Sequence, residues 1–129
     1  MENSNLHSGS CLCGQIGFSL KGQLPAPNAC HCSQCRKQSG HYWASVDVKE
    51  SDVTITGDVS WYQSSEKVRR GFCSTCGSFL FWNPIHHDTI ALAMGAFDTA
   101  TQTKLGMHIF VADKGDYYDI KDGLPQNLQ

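Results

Sequence analysis

The seven cysteines of the chain fall into three short clusters, and none lies outside them. The clusters are Cys11-x-Cys13, Cys30-x-Cys32-x-x-Cys35 and Cys73-x-x-Cys76. Thiolates at such spacing can lie about 3.8 Å apart, which is the separation of sulfurs on a tetrahedral zinc with Zn–S bonds of about 2.3 Å. Gly14 and Gly77 directly follow cluster cysteines, and glycine allows the positive φ with which a backbone turns around a metal-bound sulfur. The clusters therefore predict zinc binding.

The number of thiolates predicts two zinc ions rather than one. One closed site uses four thiolates, and the remaining three leave an open coordination position, which is the pattern of a catalytic zinc. We expect Cys30, Cys32 and Cys35 to form the open site because they lie within six residues. The closed site would then join the pairs Cys11/Cys13 and Cys73/Cys76. Spacing alone also allows other partitions, such as the first pair sharing a zinc with part of the triad.

Two other roles for the cysteines are less well supported. Redox-active thiols also use C-x-x-C, but in thioredoxin-like enzymes that motif follows a strand and opens a helix. Cys73-x-x-Cys76 lies instead in a stretch rich in glycine and aromatic residues that is typical of strands. Seven inert buried thiols would not be expected to cluster.

The elements that must position these cysteines are mostly short strands, since β-branched and aromatic residues alternate between turn formers. Strands are predicted over Gln15–Leu20, Trp43–Val48, Val53–Thr56, Trp61–Gln63, Val68–Phe72, Phe79–Trp82, Thr89–Met94 and Met107–Val111. One short helix is predicted over Ser33–Ser39, inside the triad, with Gly40 as its end. The fold class is therefore mainly β.

A length of 129 residues fits one domain. We predict a single zinc-binding domain over residues 1–129, in which 1–8 and 123–129 are flexible tails. Such a chain has a small core, so metal binding is expected to contribute to its stability.

Charge and hydropathy exclude some classes of function. Lys and Arg number 10 and Asp and Glu 12, a formal charge of −2, so no basic excess is available for phosphates. The longest apolar stretch, Ile90–Phe97, is far shorter than the roughly 20 residues of a membrane span. Residues 1–7 are polar and do not resemble a secretory leader. We therefore expect a cytoplasmic protein that binds neither nucleic acid nor membrane, and no oligomeric state is predicted.

Four segments resemble the glutathione-dependent formaldehyde-activating enzyme family, which also includes the centromere protein V-like proteins. They are Gly9–Phe18, Cys30–Gly40, Gly71–Phe81 and His108–Lys114, and the likeness runs from about Gly9 to Pro125. The resemblance implies a zinc-containing Mss4-like (β-tent) fold of short antiparallel strands. It also implies a structural zinc on Cys11, Cys13, Cys73 and Cys76 and a catalytic zinc on Cys30, Cys32 and Cys35. The partition that spacing left open is thereby resolved.

The same resemblance implies addition of glutathione to formaldehyde, a carbon–sulfur lyase activity. Zinc with three thiolates carries a charge of about −1 and favours a soft fourth ligand, so it suits a substrate thiol. We expect that thiol to have a lowered pKa and to attack a small aldehyde, or the reverse reaction to break a C–S bond. The alternatives are a non-catalytic zinc-stabilised protein-binding module and a B-type methionine sulfoxide reductase. The reductase would need a cysteine free of zinc.

Cations near the triad would offset its negative charge. Arg36 and Lys37 follow the last triad ligand, and Arg69 and Arg70 precede the second pair. Arg36 or Lys37 is the candidate for this role or for holding a substrate carboxylate, although solvated surface charge is the simpler interpretation.

Histidines and one tryptophan complete the set of candidates. His31 lies between two ligands and is expected to point away from the metal. His41 is a candidate proton donor or fourth ligand, and His108 is expected to be a hydrogen-bonded core or pocket histidine. Trp43 is the best candidate for a pocket wall. Residues 116–119, Asp-Tyr-Tyr-Asp, stand where the family commonly has a tryptophan, so that wall is expected to differ.

Overall fold

The computed structural model describes residues 6–129, and this part of the chain is mainly β, as predicted. The strands are β1 Leu6–Ser10, β2 Gly17–Lys21, β3 Asn28–Cys30, β4 Trp43–Lys49, β5 Thr54–Thr56, β6 Ser60–Gln63, β7 Val68–Phe72, β8 Phe79–Pro84, β9 Thr89–Ala93 and β10 Met107–Ile109. The helix α1 spans Ser33–Ser39, and short 3-10 helices lie at Glu50–Asp52, Met94–Ala96 and Val111–Asp113.

The strands form two sheets. The small sheet has the order β1-β2-β5, and the large sheet has the order β10-β3-β4-β9-β8-β7-β6. All the strand pairs are antiparallel except β10 with β3, which are parallel. This arrangement confirms the fold of short antiparallel strands that the sequence predicted.

The two faces of the large sheet have different partners because side chains alternate along each strand. In β9, Ile90 and Leu92 point into the main core, where Phe81 meets Phe18 of the small sheet at 5.8 Å between ring centroids. Each such buried side chain contributes about 1.5–3 kcal/mol of stability. Ala91 and Ala93 point to the opposite face, where the triad cysteines and Trp43 form a second cluster. Because β9 presents small alanine side chains on this face and large aliphatic ones on the other, this face has room for a cavity.

The helix α1 has the predicted bounds, with Cys32 at its N-cap and Cys35 in its first turn. The Cys32 sulfur accepts a hydrogen bond from the Cys35 backbone N–H and caps the first turn. Gly40, at φ 88°, ends the helix and donates its N–H to the Arg36 carbonyl. Within residues 6–129, no helix combines the length and the apolar character that a membrane crossing requires.

The structure differs from the prediction that residues 1–8 and 123–129 are flexible tails. Residues 6–8 belong to β1 and pair with β2, while residues 1–5 lie outside the described part of the chain. In the segment 123–129, the His108 N–H donates to the Pro125 carbonyl at 2.9 Å, and the Asn127 N–H donates to the His108 carbonyl at 2.8 Å. The polar composition of both segments suggested fraying, but backbone pairing does not depend on side-chain polarity.

Candidate metal centres

The closed cluster forms where two turns face each other, one between β1 and β2 and one between β7 and β8. The Cys13 sulfur lies 3.7 Å from the sulfurs of both Cys11 and Cys73, which is 60 residues away in sequence. All four sulfurs, including that of Cys76, lie within 4.8 Å of one another. The first and third clusters therefore bring their four sulfurs together, at distances that suit a shared metal.

Glycines and backbone hydrogen bonds shape these turns. Gly14 and Gly77 have φ of 86° and 84°, as the sequence predicted. The Ile16 N–H donates to the Cys11 sulfur at 3.3 Å, and the Ser78 hydroxyl lies 3.2 Å from the Cys76 sulfur. The hydrogen bonds from Ser78 lower the pKa of the Cys76 thiol to about 5, so that thiol is readily ionised.

The triad lies at the junction of β3 and α1. Cys30 ends β3, Cys32 caps the helix and Cys35 lies in its first turn, so the three sulfurs fall within 4.8 Å of one another. Cys35 is buried, and the other two are half-buried. Hydrogen bonds from the Cys30 and Cys35 thiols lower the pKa of Cys32 to about 2, while the pKa of Cys30 is raised. The convergence of sulfurs thus stabilises a thiolate even before a metal is considered.

Both clusters fit zinc by their donor chemistry. The 3.7 Å sulfur separations in the closed cluster match the roughly 3.8 Å expected on a tetrahedral zinc with Zn–S bonds of about 2.3 Å. Within residues 6–129, no His, Asp, Glu or further Cys joins the triad as a fourth member. Within these residues, the donor sets therefore comprise four sulfurs in one cluster and three in the other.

A cavity of about 320 Å³ opens beside the triad. Its apolar walls are the side chains of Trp43, Val68, Trp82, Ile109 and Phe110. Trp43, the predicted pocket wall, does line this cavity, and it stacks on Phe79 at 4.2 Å between ring centroids. Phe110 is 40% exposed at the rim.

Arg70 is the cation that reaches the triad. Its side chain is only 4% exposed, and Nη1 donates to the Cys35 sulfur at 3.6 Å and to Gln38 Oε1 at 3.3 Å. Nε donates to the Ser64 hydroxyl at 3.2 Å, which fixes the guanidinium. Neither Arg36 nor Lys37 lines the cavity, so the cation that faces the triad sulfurs is Arg70 and not one of these two residues. Sequence proximity had linked Arg70 to the other cluster, but pairing of β7 in the large sheet brings it to the triad.

Asp47 is a site residue that sequence reasoning missed. Trp43, Ser45 and Asp47 alternate along β4 and therefore share one face, and all three line the cavity. The Asp47 side chain is exposed to the cavity, yet the surrounding protein desolvates the carboxyl and raises its pKa. The period-two pattern that starts at Trp43 was the signal that could have identified it.

His31 points away from the sulfurs, as predicted, into a buried network behind the triad. The geometry fits a chain in which Tyr118 donates to His31 Nδ1, His31 Nε2 donates to His108 Nδ1 at 2.9 Å, and His108 Nε2 donates to Asp122 at 2.8 Å. Desolvation lowers the pKa of His31 to about 4, which keeps the ring neutral and able to accept and donate. His108 is 3% exposed, which confirms the predicted hydrogen-bonded core histidine. The parallel pairing of β10 with β3 creates this contact.

His41 lies in a different environment from the triad cavity. Its Nδ1 lies 2.6 Å from the Tyr117 hydroxyl, and its ring packs on Tyr42 and Tyr118. It does not line the cavity, so the structure does not support a role for it as proton donor or fourth ligand. Residues 116–119, where a different pocket wall was expected, therefore cover histidines rather than the triad.

Relatives of known sequence share part of the chain. An uncharacterized lyase of Schizosaccharomyces pombe is 31% identical over 77 residues, which is 59% of this chain and 56% of that protein. A protein of Pyrenophora teres f. teres named "Putative glutathione-dependent formaldehyde-activating enzyme" is 32% identical over 75 residues, which is 55% of this chain and 40% of that protein. The chain thus spans about half the length of the curated relatives it matches.

A solved structure shares the fold. The crystal structure of a Rhodobacter sphaeroides protein superimposes with a TM-score of 0.61 at 18% sequence identity, covering 76% of this chain and 98% of that one. The model of one protein family, described as glutathione-dependent formaldehyde-activating enzyme, matches residues 6–113. That range includes both cysteine clusters and every wall of the cavity. The chain therefore belongs to the glutathione-dependent formaldehyde-activating enzyme family.

Proposed function

We propose that the chain is a zinc-dependent carbon–sulfur lyase that joins a thiol such as glutathione to a small aldehyde such as formaldehyde, or reverses that reaction. In this proposal Cys11, Cys13, Cys73 and Cys76 hold a structural zinc, and Cys30, Cys32 and Cys35 hold the catalytic one. The observation that carries the proposal is a triad of sulfurs that has no fourth ligand within residues 6–129 and opens into a cavity. The names and family of the relatives support the reaction class.

A zinc on the triad would supply a fourth coordination position for the substrate thiol and would lower the pKa of that thiol. Residues of the chain would offset the negative charge of the additional thiolate. Arg70, buried against Cys35, offsets the negative charge of three cysteine thiolates and a substrate thiolate. Its anchors on Gln38 and Ser64 hold it there, and in the described part of the chain no carboxylate pairs with it.

The bond-making step is an addition to a carbonyl group. The thiolate sulfur attacks the aldehyde carbon, a C–S bond forms and the C=O π pair moves to oxygen. Asp47 delivers a proton to that oxygen and is reprotonated by the proton that the thiol releases, so no net acid or oxidant is consumed. A carboxyl with a raised pKa is suited to this role, and Asp47 lines the same cavity as the triad. In the reverse direction Asp47 takes the proton and the C–S bond breaks.

The cysteines need to stay reduced to bind zinc, and cellular thiols keep them so in the cytoplasm. We include a cytoplasmic location in the proposal for this reason, and we place the whole of residues 1–129 in one zinc-binding domain.

The test is turnover by the zinc-loaded protein. Exchange between formaldehyde, glutathione and S-hydroxymethylglutathione can be followed by two-dimensional NMR exchange spectroscopy. We expect the protein to accelerate the exchange and Cys32→Ser to abolish the acceleration while the protein remains folded, as judged by circular dichroism. X-ray absorption should give an average of fewer than four protein sulfurs per zinc. No acceleration, together with four protein ligands on each zinc, would favour the protein-binding module instead.

A further inference from the structure

We propose that the carbonyl substrate of this chain is an apolar aldehyde, aromatic or medium-chain aliphatic, whose side chain fills the cavity lined by Trp43, Trp82 and Phe110. This inference rests on the proposed function and specifies its substrate class. The cavity beside the triad carries it.

The size of the cavity exceeds what formaldehyde needs. Its volume is about 320 Å³, whereas a molecule of two heavy atoms occupies on the order of 30–50 Å³, close to the share of a water molecule in the liquid. Formaldehyde would leave most of the cavity to water. A phenyl or hexyl group would displace that water from apolar walls, which is favourable because apolar surface is removed from water.

The walls match an apolar ligand. Trp43 and Trp82 lie on the same face of the large sheet as Ala91, whose small side chain leaves space between them. Val68 and Ile109 also line the cavity. The charged groups among the lining residues are Asp47 and Arg70. Arg70 directs its Nε and Nη1 donors to Ser64, Gln38 and Cys35, so these donors face the triad side of the cavity and not its apolar walls.

The exposure and the backbone conformation of Phe110 independently indicate a ligand-binding role. Phe110 is an aromatic residue left 40% exposed at the rim, and its backbone has φ 54°, a conformation that non-glycine residues rarely adopt. Such conformations are strained and tend to persist at ligand clamps. The strained backbone places the Phe110 ring at the cavity mouth. Phe110 directly follows Ile109, which pairs with the triad residue Cys30.

A charged thiol has a different place beside the same metal site. A second depression, lined by Gln34, Lys37, Tyr62, Ser64 and Arg70, adjoins the cavity and shares Gln34 and Arg70 with it. Its exposed lysine suits the carboxylates of a glutathione-like thiol, and this leaves the aromatic side for the aldehyde.

The kinetic experiment uses zinc-loaded protein with glutathione as the thiol. The relative kcat/KM values of formaldehyde, acetaldehyde, hexanal and phenylacetaldehyde are measured by competition. We expect hexanal and phenylacetaldehyde to exceed acetaldehyde by tenfold or more. Phe110→Gly removes the ring and also suits the positive φ, so the variant should fold, and the preference should fall at least fivefold. Tyr117→Ala, which removes an exposed aromatic outside the cavity, should leave the preference unchanged.

A binding measurement gives a readout independent of turnover. 2-Phenylethanol, an unreactive analogue, should quench the fluorescence of Trp43 and Trp82 in zinc-loaded protein, and Phe110→Gly should weaken its binding. Formaldehyde turnover that depends on Cys32, without a preference for apolar aldehydes and without binding of 2-phenylethanol, would overturn this inference and leave the proposed function intact. Absence of turnover with every aldehyde would overturn the proposed function and the inference together.

Discussion

The guanidinium of Arg70 lies 3.6 Å from the sulfur of Cys35, although the two residues are 35 positions apart in the sequence. The arginine comes from β7 and the cysteine from α1, so the contact exists only in the folded chain. A buried guanidinium needs a negative partner, and in the described residues its neighbours are neutral oxygens and the triad sulfur. Thiolates at the triad, as a bound zinc would require, are therefore the negative partner that Arg70 would face.

Replacing Arg70 should weaken the triad zinc site. We expect Arg70→Ala to reduce affinity for the second zinc and the lyase rate by about 10–100-fold, which is typical for loss of a group that supports metal ligands. The affinity is measured by competition with a zinc chelator. Arg69→Ala is the matched control, since Arg69 is the neighbouring residue on the same strand but packs 3.9 Å over Trp61. Equal losses in the two variants would contradict this role for Arg70.

The two cysteine clusters should respond differently to substitution. Cys73 is fully buried in the closed cluster, so Cys73→Ser should lower the free energy of unfolding by several kcal/mol, because metal binding absent from the unfolded state is lost. Cys32→Ser should lower it much less, while the lyase activity disappears. Chemical denaturation and native mass spectrometry measure stability and bound zinc. A Cys73→Ser protein as stable as wild type would argue against a structural metal.

Asp47 should oppose stability while it supports catalysis. Its pKa is raised by desolvation, so the folded state binds its proton more tightly than the unfolded state does. The ionised carboxyl therefore costs stability, and this cost grows as pH rises from the pKa of the unfolded state through that of the folded state. We expect Asp47→Asn to be slightly more stable than wild type at pH 7 and equal to it at pH 3, with a large loss of lyase activity at all pH values. Lower stability at pH 7 would contradict the assignment.

The wild-type activity should also depend on this carboxyl. If Asp47 protonates the developing alkoxide, kcat for thiol addition should fall as pH rises through its pKa. Asp47→Asn should lack that limb of the profile, whereas Asp52→Asn, an exposed acid outside the cavity, should keep it.

His108 should contribute to stability through buried hydrogen bonds. His108→Ala removes the partner of His31 Nε2 and the side-chain donor to Asp122, and an unsatisfied buried polar group such as this ring nitrogen costs about 1–3 kcal/mol. Because His31 lies between two triad ligands, zinc affinity at the triad should fall as well. Urea denaturation checks the first effect and chelator competition the second. His86→Ala, at an exposed turn, should change neither.

The local elements were well predicted because their signals are local. Alternation fixed β7 over Val68–Phe72, and Gly40 fixed the end of α1, so both have the predicted bounds. β1 and β3 were missed, because Leu6–Ser10 is polar and Asn28–Cys30 is only three residues long. The composition of such segments does not distinguish them from loops, and they become strands only by pairing with neighbours.

The residues of the candidate site also fall into those that local sequence predicts and those that only the fold brings together. The cysteine clusters were found by spacing, since a metal requires its ligands at fixed separations. Arg70 and Asp47 were not assigned to the triad, because β7 and β4 reach it through sheet pairing rather than proximity in sequence. The segment 123–129 was taken as a tail for the same reason: its contact with His108 is a long-range backbone pairing.

The turn that carries Cys73 and Cys76 lies between two strands that both lead to the other cluster. Arg70, three residues before it, touches Cys35, and Phe79, three residues after it, stacks on Trp43. Losing the ion from this turn would loosen the supports of the distant triad, so filling one centre should raise the affinity of its neighbour. The protein would then load its two zinc ions cooperatively, and at limiting zinc it would consist mainly of molecules with both ions or with none.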